Sequence, residues 1–212
     1  VVFVSSGAVS AGVEALGLKA RQKDTNDIQM CAAVGQVQFI CEYEKLFAEH
    51  GIKIGQVLLT HDDFESRRRS QNVRKSIEHL VKAEIVPVIN ENDAVAIDEI
   101  GIHTTIGEND SLSAIVARLV EADLLVLLSD IDGLYTADPR KDPNARLIPV
   151  VEEITPEILA LAGGAGSGLG TGGMATKLTA ARIAMASGCD MVITNCSRME
   201  DLYGIVSGED IG

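Results

Sequence analysis

The sequence predicts an α/β protein with a mostly parallel central sheet. Short continuous apolar runs alternate along the 212 residues with segments that have the period of a helix, a pattern typical of parallel strands covered by helices. Aromatic residues make up only 3% of the chain and Trp is absent, so Ala, Val, Ile, Leu and Gly must form the core. Polar clusters follow several of the apolar runs, which is where α/β proteins bind their ligands.

The first half of the chain contains three predicted strands and three predicted helices. The strands are the apolar runs Val1–Val4, Ile52–Leu59 and Ile85–Ile89. The helices are the segments Val9–Leu16, Asp27–His50 and Asn72–Ala83. Gly51 is expected to end the second helix and Asn72 to cap the third. The charged segment His61–Gln71 is either a loop or the start of a helix. Pro87 argues against a central position for the third strand, because it has no N–H to donate.

The second half begins with a predicted β-hairpin, Val95–Thr105, followed by alternating helices and strands. Helices are predicted from Gly107 to about Val120, at Thr155–Ala162 and at Met174–Ser187. Buried strands are predicted at Leu124–Leu128 and Asp190–Thr194. The acidic segment Ser129–Pro139 and the glycine-dense segment Gly163–Gly173 are predicted loops. We find no internal repeat and no linker, so residues 1–212 are predicted to form a single domain.

The composition favours a cytoplasmic protein that binds neither nucleic acid nor membranes. The formal net charge is −13 and the isoelectric point is near 4.7, so the surface repels phosphate backbones and anionic lipids. No apolar run reaches the length of a membrane span. The four cysteines have no CxxC spacing and no His at metal-ligand spacing, so we expect reduced thiols and no protein metal site.

Three polar clusters stand directly after predicted strands. They are Ser5-Ser6-Gly7, Asn90–Asp93 and Ser129-Asp130. Because the carboxyl ends of parallel strands meet at one edge of a sheet, we expect the three clusters to line one crevice.

The glycine-rich segment Gly166–Gly173 precedes a predicted helix whose first turn contains Lys177. Glycines let the backbone approach a phosphate closely, and the helix start adds free N–H groups and a positive dipole end. The segment also contains a GxGxxG match, but a dinucleotide site needs a strand directly before it. A Walker A motif is excluded because Thr176 precedes Lys177, and a calcium loop at Asp130 is excluded because Tyr135 occupies its glycine position. No Ser/His/Asp or Cys/His set is apparent, so direct phosphoryl transfer suits these residues best.

Five segments together resemble the glutamate 5-kinases of the amino acid kinase superfamily. The strongest are Ile89–Val95, which reads INENDAV, and Gly107–Ala114, which is similar to that family's GDNDxLSA. The others are Ser5–Ala8, Leu127–Arg140 and Gly170–Leu178. These segments follow the family's order and span nearly the whole chain.

The resemblance implies a three-layer αβα sandwich and transfer of the ATP γ-phosphate to the side-chain carboxylate of L-glutamate. Ser6, Asp93 and Asn109 would bind glutamate, with Asp93 paired to its ammonium group. Lys177 would neutralise charge on the transferring phosphoryl group, and Asp110 would orient the catalytic lysines. The alternatives are a kinase for acetylglutamate, aspartate, UMP or carbamate, a dinucleotide-binding oxidoreductase, or a non-catalytic domain.

The resemblance also implies cofactors and partners. ATP would bind beside Ser129, Asp130, Thr171, Gly172, Gly173, Met174, Ala175, Thr176 and Lys177. Mg²⁺ would be held mainly by the ATP phosphates, proline would act as a feedback inhibitor, and the protein would form a dimer or tetramer. The chain opens without Met and inside an apolar run, so we expect the family's first strand and helix, with a phosphate-contacting lysine, to precede it and one more strand to follow. We see no sign of the RNA-binding-like domain that many members carry at the C-terminus.

Overall fold

The computed structural model describes residues 1–19, 24–96, 109–162 and 173–212. They form two compact units, Val1–Asn109 and Asp110–Gly212, and each is described by itself. Whether they constitute the single domain predicted from the sequence stays a prediction. The predicted hairpin Val95–Thr105 and the glycine-dense segment Gly163–Gly173 lie largely outside the described residues. In the described residues, no helix is long and apolar enough to cross a membrane.

The first unit contains a three-stranded parallel sheet. Its strands are β1 (Phe3–Val4), β2 (Lys53–Leu59) and β3 (Ile85–Glu91), in the order β1-β3-β2. Its helices are α1 (Ala8–Ala15), α2 (Thr25–Ala48), α3 (Asp62–Glu65) and α4 (Arg67–Lys82). Val4 pairs with Ile89, and Leu59 pairs with Glu91. The register therefore brings the carboxyl ends of all three strands to one edge of the sheet.

Two expectations for this unit are wrong. Asn72 does not cap its helix, because α4 begins at Arg67, within the segment predicted to be a loop or the start of a helix, and Ser66 caps it by accepting a hydrogen bond from the Arg69 N–H. The first turn of this helix carries charged residues because the side chains there face solvent. Pro87 lies on the central strand of the sheet. Ile89 accepts a hydrogen bond from the Ser5 N–H, so its backbone groups point toward β1. Pro87 lies two residues earlier on the same strand, so its nitrogen points toward β1 as well. The first paired residue of β1 is Phe3, opposite Val88, so the N–H that Pro87 lacks has no partner to lose.

Helices α1 and α2 pack closely through two glycines. A Cβ on Gly12 would lie 1.8 Å from the Cys31 carbonyl oxygen, and one on Gly35 would lie 1.8 Å from the Ala8 carbonyl oxygen. Both contacts are far inside van der Waals range, so only hydrogen fits at either position. This packing fixes α1, and with it the turn Ser5–Gly7 that connects β1 to α1.

The second unit pairs two parallel strands and packs small residues around them. Its strands are β4 (Leu124–Ser129) and β5 (Asp190–Asn195), and Ser129 pairs with Asn195. Its helices are α5 (Asn109–Leu119, whose first residue belongs to the first unit), α6 (Pro156–Leu161), α7 (Met174–Met185) and α8 (Asp201–Ser207). The core consists of buried Ala, Leu and Cys residues of α5, β4, α7 and the turn before β5. The parallel α/β class predicted from the sequence is confirmed. Helix α8 was not predicted from the sequence.

Candidate functional site

In the first unit, three separate segments meet through the carboxamide of Asn109. Asn109 Nδ2 donates to the Ser5 carbonyl oxygen at 2.8 Å and approaches Asn90 Oδ1 at 3.5 Å. Ser5 directly follows β1, Asn90 lies near the end of β3, and Asn109 begins α5. Two of the three polar clusters therefore converge as expected. The third, Ser129-Asp130, belongs to the second unit and is described with it.

A pocket of about 270 Å³ lies beside the end of β3. Its polar lining includes Gln36, Glu91, Asn92 and Asp93, and small and aliphatic side chains of α2 and β2 form its other walls. Of the three residues predicted to bind substrate, Asp93 lines this pocket, whereas Ser6 and Asn109 do not. Ser6 is exposed on the turn after β1, next to the Ser5 carbonyl that receives the Asn109 hydrogen bond.

In the second unit, Lys177 and Asp110 form an ion pair. Lys177 Nζ lies 3.0 Å from Asp110 Oδ2, and the side chains are only 12% and 22% exposed. Asp110 is the second residue of α5 and Lys177 the fourth of α7, so the starts of two helices meet here. A carboxylate at this distance holds the ammonium group in one place.

Thr176 strengthens the same contact. Its hydroxyl lies 2.7 Å from both Asp110 Oδ2 and the Gly173 carbonyl oxygen. It has a single proton, so it donates to one of the two acceptors at a time. The Gly173 carbonyl also accepts from the Thr176 and Lys177 N–H groups. Gly173 precedes α7 without a side-chain cap, and Met174 and Ala175 form the first turn. A helix start without a capping side chain presents N–H groups to an anion.

The predicted nucleotide residues Ser129 and Asp130 stand at the end of β4. Ser129 is buried, and its hydroxyl lies 3.4 Å from Asp130 Oδ1. The Asp130 side chain is exposed and accepts a hydrogen bond from Arg140 Nη2 at 2.6 Å. The Arg140 guanidinium holds the pKa of the Asp130 carboxyl below its ordinary value. The predicted residues Thr171 and Gly172 lie outside the described part of the chain.

A second polar network, which the sequence did not indicate, anchors the loop after β4. Asp132 accepts hydrogen bonds from Asn195 Nδ2 at 3.0 Å and from the Tyr135 hydroxyl at 3.2 Å, and Arg198 Nη2 lies 3.1 Å away. The Asn195 donor, followed by Tyr135 and Arg198, lowers the pKa of Asp132. The described residues contain no cluster of three or more His, Cys, Asp or Glu arranged to hold a metal ion.

A model of the amino acid kinase family matches residues 1–195. The chain is 51% identical over 211 residues to the glutamate 5-kinase of Myxococcus xanthus, and the match covers all of this chain and 55% of that protein. It is 50% identical to the glutamate 5-kinase of Clostridium tetani, covering all of this chain and 78% of that protein. It is 53% identical to the glutamate 5-kinase of Deinococcus radiodurans, and that match covers all of this chain and 57% of that protein. The chain thus spans little more than half the length of two of these relatives.

Two crystal structures share the fold at low sequence identity. One is a product complex of isopentenyl phosphate kinase from T. acidophilum, with a TM-score of 0.60 and 18% identity, covering 95% of this chain and 76% of that one. The other is uridylate kinase from Archaeoglobus fulgidus, with a TM-score of 0.53 and 20% identity, covering 99% of this chain and 81% of that one. At this identity the likeness concerns the fold alone, and it agrees with the fold that the sequence motifs imply.

Proposed function

Because the chain belongs to the amino acid kinase family, and within it to the glutamate 5-kinases, we propose that it transfers the γ-phosphate of ATP to the side-chain carboxylate of L-glutamate. The product is glutamyl 5-phosphate, and the reaction is the first step of proline biosynthesis. The observation that carries this proposal is the ion pair of Lys177 and Asp110 at the start of α7. It holds a nearly buried cation in the first turn of the helix that follows Gly173, where a phosphoryl group would need charge neutralisation.

The reaction is a direct in-line displacement. A carboxylate oxygen of glutamate bonds to the γ-phosphorus, and the bond from that phosphorus to the β,γ-bridging oxygen breaks. The electron pair leaves on ADP, so no covalent enzyme intermediate forms. Lys177 stabilises the negative charge on the transferring group, and Asp110 keeps the lysine in position. Neither residue needs to exchange a proton, because the attacking carboxylate is already ionised.

The binding roles follow the two groups of residues. Ser6, Asp93 and Asn109 contact glutamate, and Asp93 pairs with its ammonium group. ATP binds beside Ser129 and Asp130 and along the segment Thr171, Gly172, Gly173, Met174, Ala175, Thr176 and Lys177. Residues 1–212 then act as one amino acid kinase domain. This assignment is supported by the polar edge at Asn109 and by the uncapped start of α7.

The remaining features of the proposal come from the family. ATP brings Mg²⁺ on its phosphates. The enzyme works in the cytoplasm as a dimer or tetramer, and proline inhibits it.

The test is ADP release by the purified protein with a panel of acceptors. The panel contains L-glutamate, acetylglutamate, aspartate, UMP and carbamate, with hydroxylamine present to trap any acyl phosphate. We expect turnover and a trapped hydroxamate with glutamate alone. Turnover with acetylglutamate or UMP, and none with glutamate, would overturn the proposal.

A variant of Lys177 tests the observation that carries the proposal. Lys177→Ala should lower kcat by roughly a hundredfold or more, because it removes the charge that meets the phosphoryl group in the transition state. Lys45→Ala is the matched control, since that lysine is exposed on α2. A Lys177→Ala enzyme with the kcat of Lys45→Ala would show that Lys177 has no such role.

A further inference from the structure

Three polar residues of α2 recur at intervals of seven and reach three different segments beside the predicted substrate site. We call Gln29, Gln36 and Tyr43 the α2 polar stripe. Gln29 Nε2 donates to the Ala96 carbonyl oxygen at 3.0 Å, and Gln36 Oε1 accepts from Asn90 Nδ2 at 2.9 Å. The Tyr43 and Ser5 hydroxyls lie 3.1 Å apart. Residues seven apart lie on one side of a helix, so the stripe is a single face.

Backbone groups determine which way the Asn90 carboxamide points. The Glu91 N–H can only donate, so the side-chain atom 2.9 Å from it must be the Asn90 oxygen. Asn90 Nδ2 therefore points to Gln36, and Gln36 must present its own oxygen in return. Asn90 is 2% exposed, so water cannot replace this partner. A buried amide without its acceptor would lose a hydrogen bond that nothing else supplies.

The Asn109 carboxamide is oriented by the same logic. The Ser5 carbonyl oxygen can only accept, so the atom 2.8 Å from it is Asn109 Nδ2. The same nitrogen faces Asn90 Oδ1 at 3.5 Å, and the Asn90 carboxamide is held between the Glu91 N–H and Gln36. Asn109 Oδ1 consequently points away from both groups, and within the described part of the chain it accepts no hydrogen bond. The site thus presents an oxygen acceptor at Asn109.

We propose that Gln36 is a positioning residue that fixes the Asn109 carboxamide through Asn90, so that Asn109 Oδ1 receives the ammonium group of an amino acid substrate. This inference rests on the proposed function. Glutamate at neutral pH carries two carboxylates, which only accept hydrogen bonds, and one ammonium group, which donates them. An acceptor at Asn109 therefore selects the ammonium end. Gln36 also lines the pocket that contains Asp93, the residue predicted to pair with that ammonium group.

The test compares three substitutions on the same helix. Gln36→Met removes the acceptor and keeps the length of the side chain, and Gln36→Glu keeps an acceptor. Gln38→Met is the control, because it replaces an exposed glutamine of α2 with methionine. We expect Gln36→Met to raise KM for glutamate roughly tenfold, with kcat changed less than about threefold and KM for ATP unchanged. Gln36→Glu, which keeps the acceptor, should raise KM for glutamate less than Gln36→Met does, and Gln38→Met should behave like the wild type. If Gln36→Met does not fold, Gln36→Asn replaces it, since its shorter side chain cannot reach Asn90.

Two further measurements separate positioning from direct contact. In an Asn109→Ala background, Gln36→Met should raise KM less than about twofold further, because its effect passes through Asn109. The preference for glutamate over glutarate, which lacks the ammonium group, should fall in Gln36→Met. Wild-type turnover of glutamate together with an unchanged KM and an unchanged preference in Gln36→Met would refute this inference alone. A wild type without glutamate turnover would refute the proposed function.

Discussion

Asp110→Asn tests how much the ion pair with Lys177 contributes to folding. The substitution keeps the size of the side chain and removes its charge, which leaves a lysine that is only 12% exposed facing a neutral amide. It also weakens the acceptor that Thr176 approaches at 2.7 Å. We expect both Asp110→Asn and Lys177→Met to lower the free energy of unfolding, because each leaves the other charge in a poorly hydrated position.

The magnitude follows from distance and burial. Two unit charges 3.0 Å apart attract by about 5–6 kcal/mol at an effective dielectric constant of about 20. Lost hydration of both groups offsets part of this attraction. Breaking a largely buried pair from one side typically costs about 3–5 kcal/mol. Because Asp110 keeps some contact with water, we expect about 3 kcal/mol for Asp110→Asn and a coupling energy of about 2 kcal/mol between the two residues.

The assay is a double-mutant cycle in which urea denaturation at pH 7 is monitored by circular dichroism. The cycle uses the wild type, Asp110→Asn, Lys177→Met and the double variant. The matched control is the cycle for Glu42 and Lys45, which are 2.7 Å apart but 65–66% exposed. Water screens that pair, so its coupling should be close to the limit of detection. A coupling for Asp110 and Lys177 that is no larger than the control would refute the argument from burial.

Three other predictions concern packing, protonation and thiol access. Gly35→Ala should destabilise the protein by about 1–3 kcal/mol in urea denaturation, since its Cβ would clash with a backbone carbonyl, whereas Gly173→Ala, with no described heavy atom within 4 Å, should change stability little. The pKa of Asp132 lies below the ordinary 3.8, so the stability advantage of wild type over Asp132→Asn should be full above that pH and disappear as the pH falls further; Asn195→Ala should raise the Asp132 pKa in an NMR titration, and an advantage independent of pH would contradict this. A thiol reagent should label two cysteines quickly and the other two only on unfolding, and fast labelling of a third would contradict the described burial. The exposed cysteines are Cys41 and Cys196, and the buried ones are Cys31 and Cys189.

Local patterns predicted most elements of the fold correctly. The apolar runs that became β2, β4 and β5 were found within about one residue of their ends, as were α1 and the C-terminal end of α4. A buried parallel strand must be apolar along its whole length, so the signal is local. The errors arose where the signal was not local. A proline indicates an edge strand only if the N–H that it lacks would have faced a paired residue of the neighbouring strand. That depends on where the neighbouring strand begins.

The chemistry-bearing residues could also be named from the sequence, but their pairings could not. Lys177 stands out because it follows a glycine-rich segment, and Asn90 and Asp93 stand out because they follow a strand. Gln36 does not stand out, because a polar residue on an amphipathic helix is ordinarily solvated. Only its contact with Asn90, 54 residues away in the chain, distinguishes it. The recurrence of Gln29, Gln36 and Tyr43 at intervals of seven was the one signal that could have indicated it.

The sequence by itself therefore determined the α/β class, the strand-end clusters and the lysine at the start of α7, because each depends on residues close together in the chain. The tertiary structure decided the contacts between Asp110 and Lys177, 67 residues apart, and between Ser5 and Asn109, 104 residues apart. Strand order and the close packing of helices bring such residues together, and neither is encoded in the period of any single segment. The orientation of each carboxamide also follows from tertiary contacts, because its oxygen and nitrogen must match the donors and acceptors that surround it.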